Sequence, residues 1–180
     1  MRSLEESLAQ YAASHRDRRN IATHFLGIPL VIFSVVLALA LVSFPAGGIP
    51  VTLAAVASIG ASAWYVRLDP AFGAVMAAVL FLMCALASEI AARVPVAAAL
   101  AGAAALFFAA GWALQFRGHR YEGMKPAFLS DASQLLLGPL FLCAEAAFFF
   151  GTRTALRRAI EQRVGPTVAR RTRTDAAGAR

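Results

Sequence analysis

A chain of 180 residues has room for one domain, and its make-up of 59% hydrophobic against 15% charged residues lies outside the usual range for soluble proteins. The apolar excess sits in long runs almost free of charge, with a mean hydropathy of +0.65, so an integral membrane protein is the first reading. The net charge of +7 does not point to nucleic acid, because residues 153–180 hold eight arginines against Glu161 and Asp175 and carry +6 of it. A basic tail behind apolar spans is more simply a cytoplasmic anchor at anionic lipid.

Residues 3–13 place Leu4, Leu8 and Tyr11 at helical spacing and predict a short amphipathic helix, lying on the membrane or on the protein itself. Glu5 and Glu6 deny this segment the uncharged core of a signal peptide. The stretch His15-Arg16-Asp17-Arg18-Arg19-Asn20 breaks the pattern, and Asn20 is placed to cap a new helix running to about Val42. Pro29 falls inside that run, as a kink or as its true start. In one unbroken helix His15 and His24 would point to opposite sides, so a shared site demands a turn between them.

Ser43 to Pro50 reads as a tight, uncharged turn. Further spans are expected over about 51–66, 71–88 and 96–116, divided by a turn at Arg67–Pro70 and a loop at Glu89–Pro95. Each is near the length that crosses about 30 Å of hydrocarbon. The last apolar run, 135–150, is cut by Gly138-Pro139 and contains Glu145. Four full spans put the N-terminal segment, the 117–125 loop and the tail, all basic, on the cytoplasmic side.

The expectation is therefore an all-α, polytopic membrane bundle of four full transmembrane helices, a Gly/Pro-broken fifth segment that is non-crossing or partly buried, and the short N-terminal amphipathic helix. Residues 1–152 form one membrane domain, in the inner membrane if the chain is bacterial. Residues 153–180 form an Arg-rich cytoplasmic tail, disordered beyond about Gly165. Cys84 and Cys143 lie in apolar runs without CxxC spacing and imply no disulfide.

Chemistry concentrates where the fourth span meets water. Gln115, His119 and Glu122 stand at i, i+4 and i+7 and share one helical face. The other two histidines, His15 and His24, flank the start of the first long apolar run. Neutral imidazoles ligate iron and zinc, and three can fill one face of a metal ion. The plainer alternative is a solvated His15 with His24 and His119 as interfacial hydrogen bonders. Glu122 is open to four roles: metal ligand, partner fixing an imidazole tautomer, general base, or ion pair with Lys125. Gln115 either orients His119 or bonds between helices. Asn20 is a cap or a polar member of the site. Glu145, ionisable in an apolar run, is functional or is the buried partner of an Arg or His. Arg117, Arg120 and Lys125 either hold an acidic headgroup or only set topology.

These residues carry a resemblance. His15-x4-Asn20-x3-His24-x2-Gly27-x-Pro29, then Gln115-Phe116-x-Gly118-His119-x2-Glu122-x3-Pro126-Ala127, and more weakly Pro139-Leu140-Phe141-x3-Glu145, are similar in order and spacing to motifs of the membrane-bound 2-hydroxy fatty acid dioxygenases. That family is known from fungal phytosphingosine breakdown and has many bacterial relatives. The resemblance covers about residues 8–150 and leaves the tail outside.

What it implies is an Fe(II)-dependent enzyme of fatty-acid α-oxidation, using O2 to shorten a long-chain 2-hydroxy fatty acid by one carbon. His15, His24 and His119 match the family's iron-associated histidines. Glu122 and Gln115 would tune the site, Asn20 and Glu145 would support it, and Arg117, Arg120 or Lys125 would neutralise the substrate carboxylate. Two other classes stay open on the residues alone. A transporter or channel would use Glu145 and the broken segment as a polar pathway, and a non-catalytic, lipid-interacting membrane protein would need none of the histidines.

Overall fold

The computed structural model describes residues 3–94, 96–124 and 133–170. Among them it has helices α1 (Leu4–Ala12), α2 (Arg18–Ala40), α3 (Leu53–Leu68), α4 (Pro70–Arg93), α5 (Ala97–Glu122), α6 (Gln134–Phe149) and α7 (Thr154–Val164). A two-stranded antiparallel hairpin, β1 (Ser43–Ala46) with β2 (Ile49–Thr52), lies between α2 and α3. The chain forms two compact units, one from Met1–Ile28 with Ala113–Arg180, the other from Pro29–Trp112.

The 29–112 unit has a core of small and branched side chains, Val36, Leu37, Ala54, Ala87, Leu100 and Ala104. Small residues let apolar helices approach closely. The α3–α4 turn is set by Asp69, whose N–H closes α3 on the Tyr65 carbonyl while its side chain accepts from Phe72 N–H; Pro70 follows in the first turn of α4. Gly73 is required there, because a Cβ would run into the backbone of Val66. The expected uncharged turn after α2 is the β hairpin, built on Gly47 and Gly48 at positive φ (59° and 83°). The loop expected over Glu89–Pro95 is helical as far as Arg93, where an i,i+4 ion pair joins Glu89 to Arg93.

Among the described residues three helices, α2, α4 and α5, are long and apolar enough to cross a membrane, which suggests a membrane protein. The second of the four expected spans, α3, has 16 residues, a rise of about 24 Å against a core of about 30 Å. The fifth apolar segment is corrected. Helix α6 runs unbroken through Gly138-Pro139, since a proline in the second turn forfeits a single backbone bond. The break comes after Phe149, where Gly151 (φ 73°) and Arg153 (φ 54°) adopt left-handed conformations and α7 leaves at 115° to α6.

In the other unit, α1 is started by a capping box of Ser3 and Glu6. It buries Ser7, Leu8, Tyr11 and Ala12 and packs on α6 and α7, so it lies on the protein. Gly138 admits this packing: a Cβ there would stand 3.0 Å from both the Tyr11 hydroxyl and Ile28 Cδ1. Helix α2 begins earlier than expected. Asp17 occupies the cap position, its carboxylate accepting from Arg19 N–H at 2.8 Å, and the expected cap Asn20 sits inside the first turn with its side chain turned to other partners. Past Gly165, Val168 pairs with Asp17 in an isolated parallel bridge.

Candidate metal centre

His15 lies in the turn between α1 and α2, His24 in the second turn of α2, and His119 near the end of α5. The turn that a shared site demanded is therefore present. All three rings are buried, at 1%, 0% and 7% exposure, with centroids 4.7, 5.0 and 5.1 Å apart. One ligating atom from each lies within 4.8 Å of the others.

Hydrogen bonds fix two of the tautomers. His15 Nδ1 is 2.7 Å from the Tyr11 carbonyl and His24 Nδ1 is 2.9 Å from the Asn20 carbonyl. A carbonyl only accepts, so each Nδ1 carries the hydrogen and each neutral ring turns a bare Nε2 outward. Those two Nε2 atoms face each other at 3.2 Å. No hydrogen bond can join two lone pairs, but a cation between them can. Two nitrogens bound at about 2.1 Å with an angle of about 100° would lie about 3.2 Å apart. His119 Nδ1 is buried with no hydrogen-bond partner. Burial, with His24 and His119 alongside, holds His15 well below the ordinary histidine range, so its ring is neutral and ligand-competent at pH 7. The donor set fits a first-row metal with open positions.

The surroundings hold the rings in place. Tyr11 stacks on His15 at 4.1 Å and 5°, and Phe141 leans on both. Glu122, 1% exposed, accepts from the N–H groups of Arg16 (2.9 Å) and Asp17 (3.0 Å) and from Asn20 Nδ2 (2.9 Å). Asn20 Nδ2 also donates to the Ser14 carbonyl at 3.1 Å. The carboxylate of α5 thus ties down the turn that carries His15. Gly118 lets α5 meet α2, since a Cβ there would collide with Thr23 Oγ1 and Asn20 Oδ1 and come within 3.1 Å of His24 Cε1.

The family model described as 2-hydroxy-palmitic acid dioxygenase Mpo1-like matches residues 1–150. The chain belongs to the Mpo1-like family. Neither a curated protein nor a solved structure matches it.

In this Mpo1-like protein the three expected histidines come together with Asn20 and Glu122. Gln115 is half-buried one turn before His119 and does not bond its Nδ1. Glu145 pairs with Arg16 at 3.6 Å, their side chains 17% and 5% exposed. Arg117 and Arg120 are exposed, and Arg117 donates to the Tyr121 hydroxyl at 2.9 Å. Lys125 lies outside the described residues.

Tyr11 and Arg16 escaped the sequence reading. A signal for Tyr11 existed: His15 and His24 each reach a carbonyl four residues back, the spacing that a helical turn supplies.

Proposed function

We propose that this Mpo1-like protein is an Fe(II)-dependent dioxygenase that cleaves 2-hydroxy fatty acids, giving an acid one carbon shorter. The observation that carries the reading is the opposition of two unprotonated Nε2 atoms at 3.2 Å, with a ring nitrogen of a third buried imidazole within 4.8 Å of them. Three nitrogen donors suit zinc as well as iron, and the family's oxygen chemistry favours the redox-active ion. His15, His24 and His119 would hold it, and it would supply the activation of O2.

The remaining work falls to the chain. Tyr11 and Asn20 hold the His15 and His24 protons on Nδ1 through their carbonyls. Glu122 fixes the His15 turn, and Phe141 and Tyr11 keep water off the rings. Arg117 and Arg120, exposed near His119, would meet the substrate carboxylate together with Lys125. The reaction balances as one 2-hydroxy acid and one O2 giving the shortened acid, CO2 and water, so no external reductant is consumed.

The same reading sets the topology. The start of α2 and the end of α5 share one compact unit. Their chain must cross the bilayer an even number of times between them. Counting α2, α3, α4 and α5 as crossings meets that condition, with local thinning or flanking polar residues absorbing the shortness of α3. Arg16, Arg18, Arg19, Arg117 and Arg120 lie near the histidine-bearing ends, which by the positive-inside preference supports a centre on the cytoplasmic side. Glu145, engaged with Arg16, gives no support to a solute pathway.

The test is anaerobic purification, Fe(II) loading, and O2 consumption with a long-chain 2-hydroxy acid. Stoichiometric O2 uptake with release of the shortened acid is expected. An Fe(II)-loaded protein that consumes no O2 with any chain length would overturn the assignment.

A further inference from the structure

The turn that carries His15 is held from two directions. From α5, the Glu122 carboxylate takes the N–H groups of residues 16 and 17. The second hold comes from residues 165–168, beyond the 1–150 stretch that the family model covers. Val168 N–H donates to the Arg16 carbonyl at 2.8 Å, and Arg18 N–H donates to the Val168 carbonyl at 3.0 Å. Arg16 Nη1 donates to the Gly165 carbonyl at 3.2 Å, and Arg163 of α7 pairs with Glu5 of α1 at 2.7 Å. Residue 168 behaves as one residue of a parallel strand laid along Asp17.

The accounting for the turn explains why this matters. Arg16 and Asp17 are buried, at 4% and 0% exposure, so their backbone groups need partners. Arg16 N–H and Asp17 N–H go to Glu122, and the Asp17 carbonyl takes Ile21 N–H as α2 begins. The Arg16 carbonyl and the Arg18 N–H are satisfied by Val168. Without that segment, two backbone groups flanking Asp17 lose their partners, next to a metal-facing ring that must be held to a fraction of an ångström.

We infer that residues 165–168 act as a positioning strap that completes the metal centre by fixing the His15 turn, an element that the family-matched region does not contain. The inference rests on the metal-binding reading above. The strap acts through its main chain, so the side chain of Val168 is dispensable and its N–H is not.

The test compares Val168→Pro, Val168→Ala and a chain ending at Pro166 with the parent, all in the same detergent. Co(II), titrated by its visible absorption, is the probe, and amide exchange over residues 14–18 is followed in the metal-free protein. Val168→Pro and the shortened chain are expected to bind Co(II) about tenfold more weakly, the scale at which outer partners of a ligand act. Their exchange should quicken at residues 14–18 and not across α2 or α5. Val168→Ala should match the parent in both measurements.

Parent-like Co(II) binding and exchange in Val168→Pro and in the shortened chain would overturn the strap. Equal weakening in Val168→Ala would overturn its main-chain basis. Should the parent bind no Co(II), the metal centre fails, and the exchange of residues 14–18 still decides whether the strap holds the turn.

Discussion

His15 and His24 point unprotonated Nε2 atoms at each other across 3.2 Å while their Nδ1 hydrogens are committed to the Tyr11 and Asn20 carbonyls. Such an arrangement is repulsive unless a cation or an added proton fills the gap, and burial works against the proton. The geometry suits a cation between the rings, with two backbone carbonyls engaged on their far sides.

Metal should therefore stabilise the fold through all three histidines. At a free metal concentration of 100 times its Kd, a site present only in the folded state adds about 2.7 kcal/mol. Thermal unfolding of the detergent-solubilised protein, with and without Co(II) or Fe(II), is expected to show this gain in the parent. His15→Ala, His24→Ala and His119→Ala should each lose it. A variant that keeps the full shift identifies a ring that is not a ligand.

Glu122 ties the His15 turn to α5 with one buried carboxylate receiving three donors. Glu122→Gln keeps the shape but puts an NH2 group where an acceptor is required, leaving at least one buried N–H opposed by another donor. A loss of about 1–3 kcal/mol is expected, measured by denaturant unfolding without metal. An unchanged midpoint would mean that the turn is held by its other contacts.

Much of the site was legible in the sequence, and the reasons differ by residue. Gln115, His119 and Glu122 share a face because helical periodicity carries α5 past the membrane run, so their grouping followed from spacing. The partnership of Glu122 with residues 16 and 17 did not, because it joins segments more than a hundred positions apart and uses backbone donors that every residue possesses. Of the two roles open to Asn20, the cap is taken by Asp17, three residues earlier, which accepts from Arg19 N–H. Gly138-Pro139 looked like a break, yet the helix ends at Gly151 and Arg153, where positive φ stops it. The strap at Val168 left no trace in composition, since a two-bond bridge needs no particular side chain.

Gly118→Ala probes how closely α5 and α2 must meet. Its methyl group would collide with Thr23 Oγ1 and Asn20 Oδ1 beside His24; Thr23 Oγ1 is tied to the Asn20 carbonyl at 2.7 Å and the Asn20 side chain is held through its Nδ2. Overpacking of this kind costs about 1–3 kcal/mol. Both the unfolding midpoint and Co(II) affinity are expected to fall, because the same displacement moves His24 relative to His119. A fall in stability with unchanged affinity would show that the rings are insulated from this contact.

Arg16 and Glu145 offer the last test, a double-mutant cycle. Arg16 is buried and sends its guanidinium to the Ala12, His15 and Gly165 carbonyls as well as toward Glu145, 3.6 Å away. Removing the carboxylate alone leaves a buried cation with less to balance it. The wide spacing and the 17% exposure of Glu145 place the cost of Glu145→Ala between that of an exposed pair and that of a fully buried one, about 2 kcal/mol. Arg16→Met should cost more, since three carbonyls lose a donor. In the double variant, Glu145→Ala should add little, because the cation it balanced is gone, and that shortfall measures the pair itself. Simple additivity would instead show that Glu145 acts on Arg16 weakly, and that the three carbonyls alone keep the guanidinium beside the His15 turn.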